Sequence, residues 1–223
     1  DPRDPLEPLN RGIYKFNDVV DKAVLKPVAT GYKEAMPDPV RTAVGNFFSN
    51  LDDVLVLLND LLQFKLDQAA SDFSRLIWNT TVGIAGLIDV ATPMDLAKHN
   101  EDFGQTLGYW GVDNGPYLVL PLLGPSTLRD AVGSAVDSQF DPVVQHTPVP
   151  ERNSAIAVHS VDTRARLLDA EKVLDEAASD RYVFLRDAYL QRRRGLVYDG
   201  NPPREKFEDN DDPAPSTPAS PRP

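Results

Sequence analysis

Residues 101–130, EDFGQTLGYWGVDNGPYLVLPLLGPSTLRD, decide how this chain folds. From Phe103 to Leu128 the single charge is Asp113, yet Gly104, Gly108, Gly111, Gly115, Pro116, Pro121, Gly124 and Pro125 interrupt the run. Long helices and central strands tolerate such residues poorly, since glycine loses more backbone freedom on folding and proline lacks an amide donor. Solvated loops, in turn, are seldom so apolar. The segment therefore belongs either to a buried spine or to a wall that faces lipid. Only residues 117–123 suit an extended chain, and Pro121 argues against the centre of a sheet.

Outward from this stretch the pattern is helical. Asp38 and Pro39 read as an N-cap followed by proline in the first turn. Behind them Val40, Ala43, Val44, Phe47, Phe48 and Leu51 share one stripe. Leu51, Val54, Leu55, Leu58 and Leu62 repeat the spacing after an expected break near Asn50, and Leu66, Ala69, Ala70, Phe73 and Ile77 repeat it again. Past the stretch, Ser126 and Thr127 open a helix with Asp130 as the far half of a weak capping box; its face is Leu128, Ala131, Val132, Ala135, Val136 and Phe140. Residues 141–151 read as a loop, and a charge-rich helical region runs from about Arg152 to Arg194 with Leu167, Ala170, Leu174, Ala177, Ala178, Leu185 and Tyr189 on one stripe. Residues 1–9 read as a proline-rich tether, 10–198 as one helical domain, and 199–223 as a disordered acidic, proline-rich tail. The fold class is all-α. Stripes of this kind are the ordinary mark of core-facing helices, and Trp78, Tyr109 and Trp110 suit a membrane interface and a core equally.

Composition removes several functions. There is no cysteine, hence no disulfide, thiolate metal site or cysteine nucleophile. A net charge of −11 argues against nucleic acid as a partner. The greasiest run, Val54–Leu62, contains Asn59 and Asp60 and falls short of the roughly 18 apolar residues that span a bilayer. Contact with a membrane would be interfacial, through a lipid anchor or by a compact assembly. His99, His146 and His159 offer no i, i+4 pair, and no zinc-helix, nucleophile-elbow or P-loop motif occurs. Ser126, Asp130 and His159 spell a hydrolytic triad only on paper; a helix cap with surface groups is the plainer reading. Gly83-Ile-Ala-Gly86 follows no convincing strand. No catalytic residue, metal site or cofactor is predicted.

Certain clusters go beyond generic helix. In order they are Asp4-Pro5-Leu6-Glu7, Asn10-Arg11, Phe16-Asn17, Pro27-Val28-Ala29, Val40-Arg41, Asn46-Phe47-Phe48-Ser49-Asn50-Leu51 and Asn79-Thr80-Thr81-Val82-Gly83. Asp89-Val90-Ala91, Glu101-Asp102-Phe103-Gly104-Gln105-Thr106-Leu107-Gly108, Trp110-Gly111-Val112, Gly115-Pro116-Tyr117 and Gly124-Pro125-Ser126-Thr127 with Arg129-Asp130 follow. Together they resemble the MlaA/VacJ family of Gram-negative outer-membrane lipoproteins from Asp4 to about Gly200. Phe64 stands where the family leads one to expect glycine, and Leu51-Asp52-Asp53-Val54 lacks an expected proline. The lipidated cysteine of the mature N-terminus is absent, so Asp1 is expected to follow directly on it in a chain cut to be soluble.

The resemblance implies a ring of amphipathic helices in the periplasmic leaflet of the outer membrane, lipid-anchored and enclosing an amphipathic channel. The implied function is removal of mislocalised phospholipids from the outer leaflet to a periplasmic lipid shuttle, with a trimeric porin alongside. Asn46, Phe47 and Phe48 are expected to shape the lipid-contacting helix. Gly108, Tyr109, Trp110, Gly111, Gly115 and Pro116 are expected in a gate that continues to Pro125, and Arg129, Asp130 and Asp137 along the headgroup path. The rival reading is a periplasmic helical adaptor that binds porins without moving lipid.

Overall fold

A computed structural model describes residues 1–177 and 179–203, and within them every side chain except those of 172–177. The predicted tail beyond 203 and stripe position Ala178 lie outside the described residues, as do the side chains of stripe positions Leu174 and Ala177. The elements are α1 (Glu7–Val20), a π turn (Asp21–Leu25), α2 (Lys26–Ala35), α3 (Asp38–Leu62), α4 (Leu66–Thr81), a 3₁₀ turn (Thr92–Met94), α5 (Phe103–Tyr109), strands β1 (Tyr117–Leu120) and β2 (Gly124–Thr127), α6 (Leu128–Asp137), α7 (Val149–Ala177) and α8 (Arg181–Val197). Their contacts close a circuit: α1 packs on β1, β2 on α8, α8 on α5, α5 on α3, α3 on α7, and α7 on α2, which the π turn joins back to α1. The helical, ring-like domain expected from the sequence is the one observed.

What the sequence did not reveal is which side of the stripes faces in. Asn50, Asp53, Val56 and Asp60 of α3 meet Ala69, Asp72, Arg75 and Asn79 of α4 as buried residues, while Leu58, Leu61, Leu62, Phe73, Ile77 and Trp78 are exposed. Across the described residues buried polar side chains outnumber buried hydrophobic ones. Water as the only solvent would favour the opposite arrangement. α3 runs unbroken through the break expected near Asn50, whose Nδ2 donates to Thr80 Oγ1 of α4 at 2.9 Å.

The Gly/Pro stretch splits into α5, a turn and a hairpin. Strands β1 and β2 pair antiparallel, Tyr117 with Thr127 through Leu120 with Gly124, so Pro121 falls in the turn and a small sheet stands beside the helices. The far edge of β1 needs hydrogen-bond partners. Asn10 supplies them by donating Nδ2 to the Tyr117 carbonyl and accepting the Val119 amide, each at 3.0 Å. Two turns further along α1, Asn17 does the same for the Leu120 carbonyl at 2.9 Å and the Leu122 amide at 2.8 Å.

Four expectations need correction. Residues 4–9 are no loose tether: α1 begins at Glu7, and buried Asp4 accepts from Tyr182 Oη at 2.5 Å and from Asn10 Nδ2 at 2.8 Å. Asp38 is the first residue of α3 rather than its cap; Pro37 precedes it, and the carboxylate pairs with Arg41. The loop 141–151 ends early, because α7 starts at Val149. The region from Arg152 to Arg194 is two helices, since Asp180 caps α8 by accepting from the Tyr182 and Val183 amides. Thr127 caps α6 as expected, taking the Asp130 amide at 3.2 Å.

Candidate functional site

Of the cavities among these elements three bear on the expected site: Asp137 lines one of them, Gly108, Gly111 and Arg129 line another, and Asn46, Phe47, Phe48, Tyr109, Trp110, Gly115, Pro116 and Asp130 line none of the three. The first, about 330 Å³, lies between α1, the π turn, the hairpin, α7 and α8. Its walls carry Tyr14, Val119, Pro125, Leu167 and Leu185, with Arg164, Glu171 and Arg181 also on its lining. The elements that bound it are all members of the circuit.

The second, about 340 Å³, is apolar and lies between α3, α5 and α6, with Leu58, Leu62, Phe103, Val136 and Phe140 around it. Asp137 lines it, as does Asn59, which donates to the Asp137 carboxylate at 3.2 Å; the Phe103 amide donates to the same carboxylate at 2.9 Å. Burial raises the Asp137 carboxyl, and those two donors only partly offset it. The third, about 260 Å³, is polar and holds Gly108, Gly111, Asn114, Arg129 and Tyr198.

Arg129 and Asp130 therefore do not run beside Asp137 along one path. Asp130 is enclosed: its Oδ1 accepts from Arg193 at 2.8 Å and from Arg129 at 3.1 Å, and its Oδ2 from Tyr189 Oη at 2.8 Å. Arg193 reaches across to both oxygens of Asp102, at 2.5 and 2.9 Å, and Asp102 caps α5 by accepting the Gln105 amide at 2.8 Å. Burial alone would raise Asp102; Arg193 reverses that and holds it below the usual carboxylate range. This network clamps α5, α6 and α8 together.

Asn46, Phe47 and Phe48 line none of these three cavities. Asn46 donates to the Leu87 carbonyl at 3.3 Å, Phe47 packs edge-on to Phe48 at 5.4 Å, and buried Phe48 stacks on His159 of α7 at 4.4 Å. They join α3 to α7 and to the loop after α4. Tyr109 and Trp110 are half exposed, with Trp110 Nε1 donating to the Leu62 carbonyl at 3.2 Å. Trp78 is exposed as well, so none of the three aromatic residues sits in the core. Gly108 is small because a Cβ there would lie 2.7 Å from the Arg129 guanidinium, while Gly111 and Gly115 take positive φ in the turn that leads through Pro116 to β1.

Ser126, Asp130 and His159 do not form a triad: Ser126 donates to the Thr127 carbonyl, and His159 lies against Phe48. Among the described residues no group of three His, Cys, Asp or Glu is placed to hold a metal ion. Sequence reading missed Asn59, Arg164, Glu171, Arg181 and Arg193. The charge-rich pattern of α7 and α8 hid the last four, because it matches an ordinary solvated helix.

Comparisons with known proteins converge. A family model described as MlaA lipoprotein matches residues 2–196. The intermembrane phospholipid transport system lipoprotein MlaA of Escherichia coli (strain K12) is 36% identical over 217 residues, 93% of this chain and 86% of that protein. Its namesake in Haemophilus influenzae is 36% identical over 201 residues, 88% and 80% of the two chains. A chain solved in work on the structural basis for maintenance of bacterial outer membrane lipid asymmetry superposes with a TM-score of 0.76 at 36% identity, covering 89% of this chain and 99% of the other.

Proposed function

The chain belongs to the MlaA lipoprotein family, and from that premise we propose that it carries mislocalised phospholipids out of the outer leaflet of the outer membrane. It lies in the periplasmic leaflet on a lipid anchor, beside a trimeric porin, and hands the lipid to a periplasmic shuttle. The observation that carries this reading is the inverted distribution of side chains. Leu9, Phe16 and Val19 on α1, Leu58 and Leu61 on α3, and Phe73 and Ile77 on α4 point outward, while amides and carboxylates fill the interior. Yet no helix among the described residues is long and apolar enough to cross a membrane. Helices lying flat in a leaflet fit both facts, because their apolar faces meet acyl chains without spanning. Charged and amide groups at that depth are tolerated where they are paired or line a wet cavity.

The amphipathic cavity between α1, the hairpin, α7 and α8 is the passage this reading uses. Its apolar walls suit acyl chains, and its charged end suits a headgroup. The hairpin, through Val119, Gly124 and Pro125, forms its movable side. The experiment is to delete the gene and label the phospholipid accessible at the cell surface. Surface phospholipid rises if the protein removes it, and an unchanged amount sinks the proposal. An adaptor that binds porins without moving lipid would come out of gently solubilised membranes with porin but without stoichiometric phospholipid; mass spectrometry of the extracted protein separates the two.

A further inference from the structure

Glu171 gathers three cations at one end of the amphipathic cavity. Its Oε2 accepts from Arg164 at 2.5 Å, its Oε1 from Arg181 at 3.0 Å, and Lys26 Nζ lies 3.3 Å from the same Oε1. Asp21, the first residue of the π turn, takes the other edge of Arg164 at 2.7 and 2.8 Å. Arg164 and Arg181 line this end of the cavity together with Glu171, Asp21 and Asp18, and Lys26 reaches Glu171 from beside it, while Asp18 pairs with Lys22. Burial by itself would raise Glu171, but Arg164 and Arg181 hold it at about 2. A neighbouring cleft shares Tyr14 and Arg181 with the cavity and adds Arg11 and Lys15.

We propose that this cluster binds the phosphate of a phospholipid, with Arg164, Arg181 and Lys26 as its donors and an acyl chain lying along Leu167 and Leu185. The inference rests on the lipid-moving reading above and names the place where the headgroup is held. Two guanidinium forks and an ammonium match the tetrahedral oxygens of a phosphate. Taking charges out of water is costly, and a purely structural ion cluster has no reason to border an apolar void. Glu171 then serves the passage directly, because it neutralises the cations while the site is empty and competes with the incoming phosphate. A passage needs that competition, since a lipid bound too tightly is never released. The π turn contributes geometry, because such turns recur at functional sites and this one brings Asp21 onto Arg164.

The test uses the chain purified in a non-ionic detergent and three probes: dihexanoyl phosphatidylglycerol, dihexanoylglycerol and inorganic phosphate. The parent should bind the phospholipid better than dihexanoylglycerol. Arg181→Gln should weaken phospholipid binding about tenfold, the loss of one charge-assisted hydrogen bond, and Glu171→Gln should strengthen it several-fold. Neither change should affect dihexanoylglycerol. Opposite signs from two variants of one cluster cannot both come from unfolding. Phospholipid binding that both variants leave unchanged overturns the site while the lipid-moving reading stands. A parent that binds neither acyl probe overturns that reading and the site with it. Inorganic phosphate bound as tightly as the phospholipid makes this a free-anion site and overturns the proposal.

Discussion

Asn10 and Val119 are joined at 3.0 Å, the side-chain carbonyl of one accepting the backbone amide of the other. The same asparagine donates to the Tyr117 carbonyl, so one buried side chain on α1 completes the ladder of an edge strand. Asn10→Ala leaves both strand groups buried and unpaired, at a cost of about 2–4 kcal/mol. Urea unfolding in detergent should register that loss, and the Val119 amide should exchange faster with deuterium. A variant as stable as the parent would mean that water enters and replaces the asparagine.

Phe64 ends α3 in the left-handed conformation, with φ 59. The Phe64 amide donates to the Leu61 carbonyl and the Lys65 amide to that of Asp60, the paired bonds of a Schellman turn. Glycine is the natural occupant of that position, and the Phe64 side chain is 78% exposed, so it gains nothing from burial. Phe64→Gly should stabilise the chain by about 1 kcal/mol in detergent. The same variant should bind liposomes less well if the exposed ring enters the leaflet. Flotation with vesicles measures the second effect separately from the first.

Asp60 is fully buried beside Asp72, and no amide, hydroxyl or cation among the described residues donates to either of its oxygens. Burial, then the hydrogen bond and charge of Asp72 and the charge of Glu101, raise its carboxyl to about 8. Asp72 in turn accepts from the His99 ring at 2.7 Å. An aspartate in the unfolded chain titrates near 3.9. The native state holds this proton more tightly, so the stability it contributes is complete below about pH 4 and is lost as pH rises through 8. Asp60→Asn keeps the shape and a donor but cannot ionise. Between pH 6 and 9 the parent should lose about 2 kcal/mol more than the variant. Identical pH slopes would show that Asp60 is already ionised in the folded chain.

Gly133 of α6 packs on Gly104 of α5 so closely that a Cβ on Gly133 would lie 2.4 Å from the Gly104 amide nitrogen. The neighbour is backbone and has no rotamer to give. Gly133→Ala should therefore force α5 and α6 apart and cost about 1–3 kcal/mol. Trp110, which stands over Phe103 at 6.2 Å and donates to Leu62, should report the shift through its fluorescence.

Helical spacing was legible in the sequence because periodicity survives whatever solvent the stripe faces. Leu58, Leu62, Phe73 and Ile77 repeat as they would in a soluble core, and only the structure reveals that Asn50, Asp53, Asp72 and Arg75 occupy the inside. The hairpin was half legible: residues 117–123 read as extended with Pro121 against a sheet centre, but the edge bonds come from Asn10 and Asn17, more than 100 residues earlier. The candidate site was read least well. Arg129, Asp130 and Asp137 are close in sequence, yet residues of one helix point to different sides: Arg129 and Asp137 line different cavities, and Asp130 is buried. Arg164 and Glu171 looked like solvated charges, since nothing local to α7 announces that Asp21 and Lys26 will face them.

Arg193 provides the last test, because it separates a structural arginine from those assigned to the phosphate. It is buried, lies between Asp102 and Asp130, and has its charge spent on both. Removing one partner of a buried ion network leaves the others uncompensated, so Arg193→Met should cost about 3–5 kcal/mol. The effect should shrink in Arg193→Met with Asp102→Asn, where one stranded carboxylate is neutralised but α5 keeps an amide oxygen as its cap. A double-mutant cycle by denaturant unfolding measures the coupling. In the same preparations the preference for phosphate-bearing lipid should persist wherever the chain remains folded, since Arg193 touches neither Arg164 nor Arg181. A loss of that preference in a folded Arg193 variant would move the headgroup from the α7 cluster to the α5–α8 clamp.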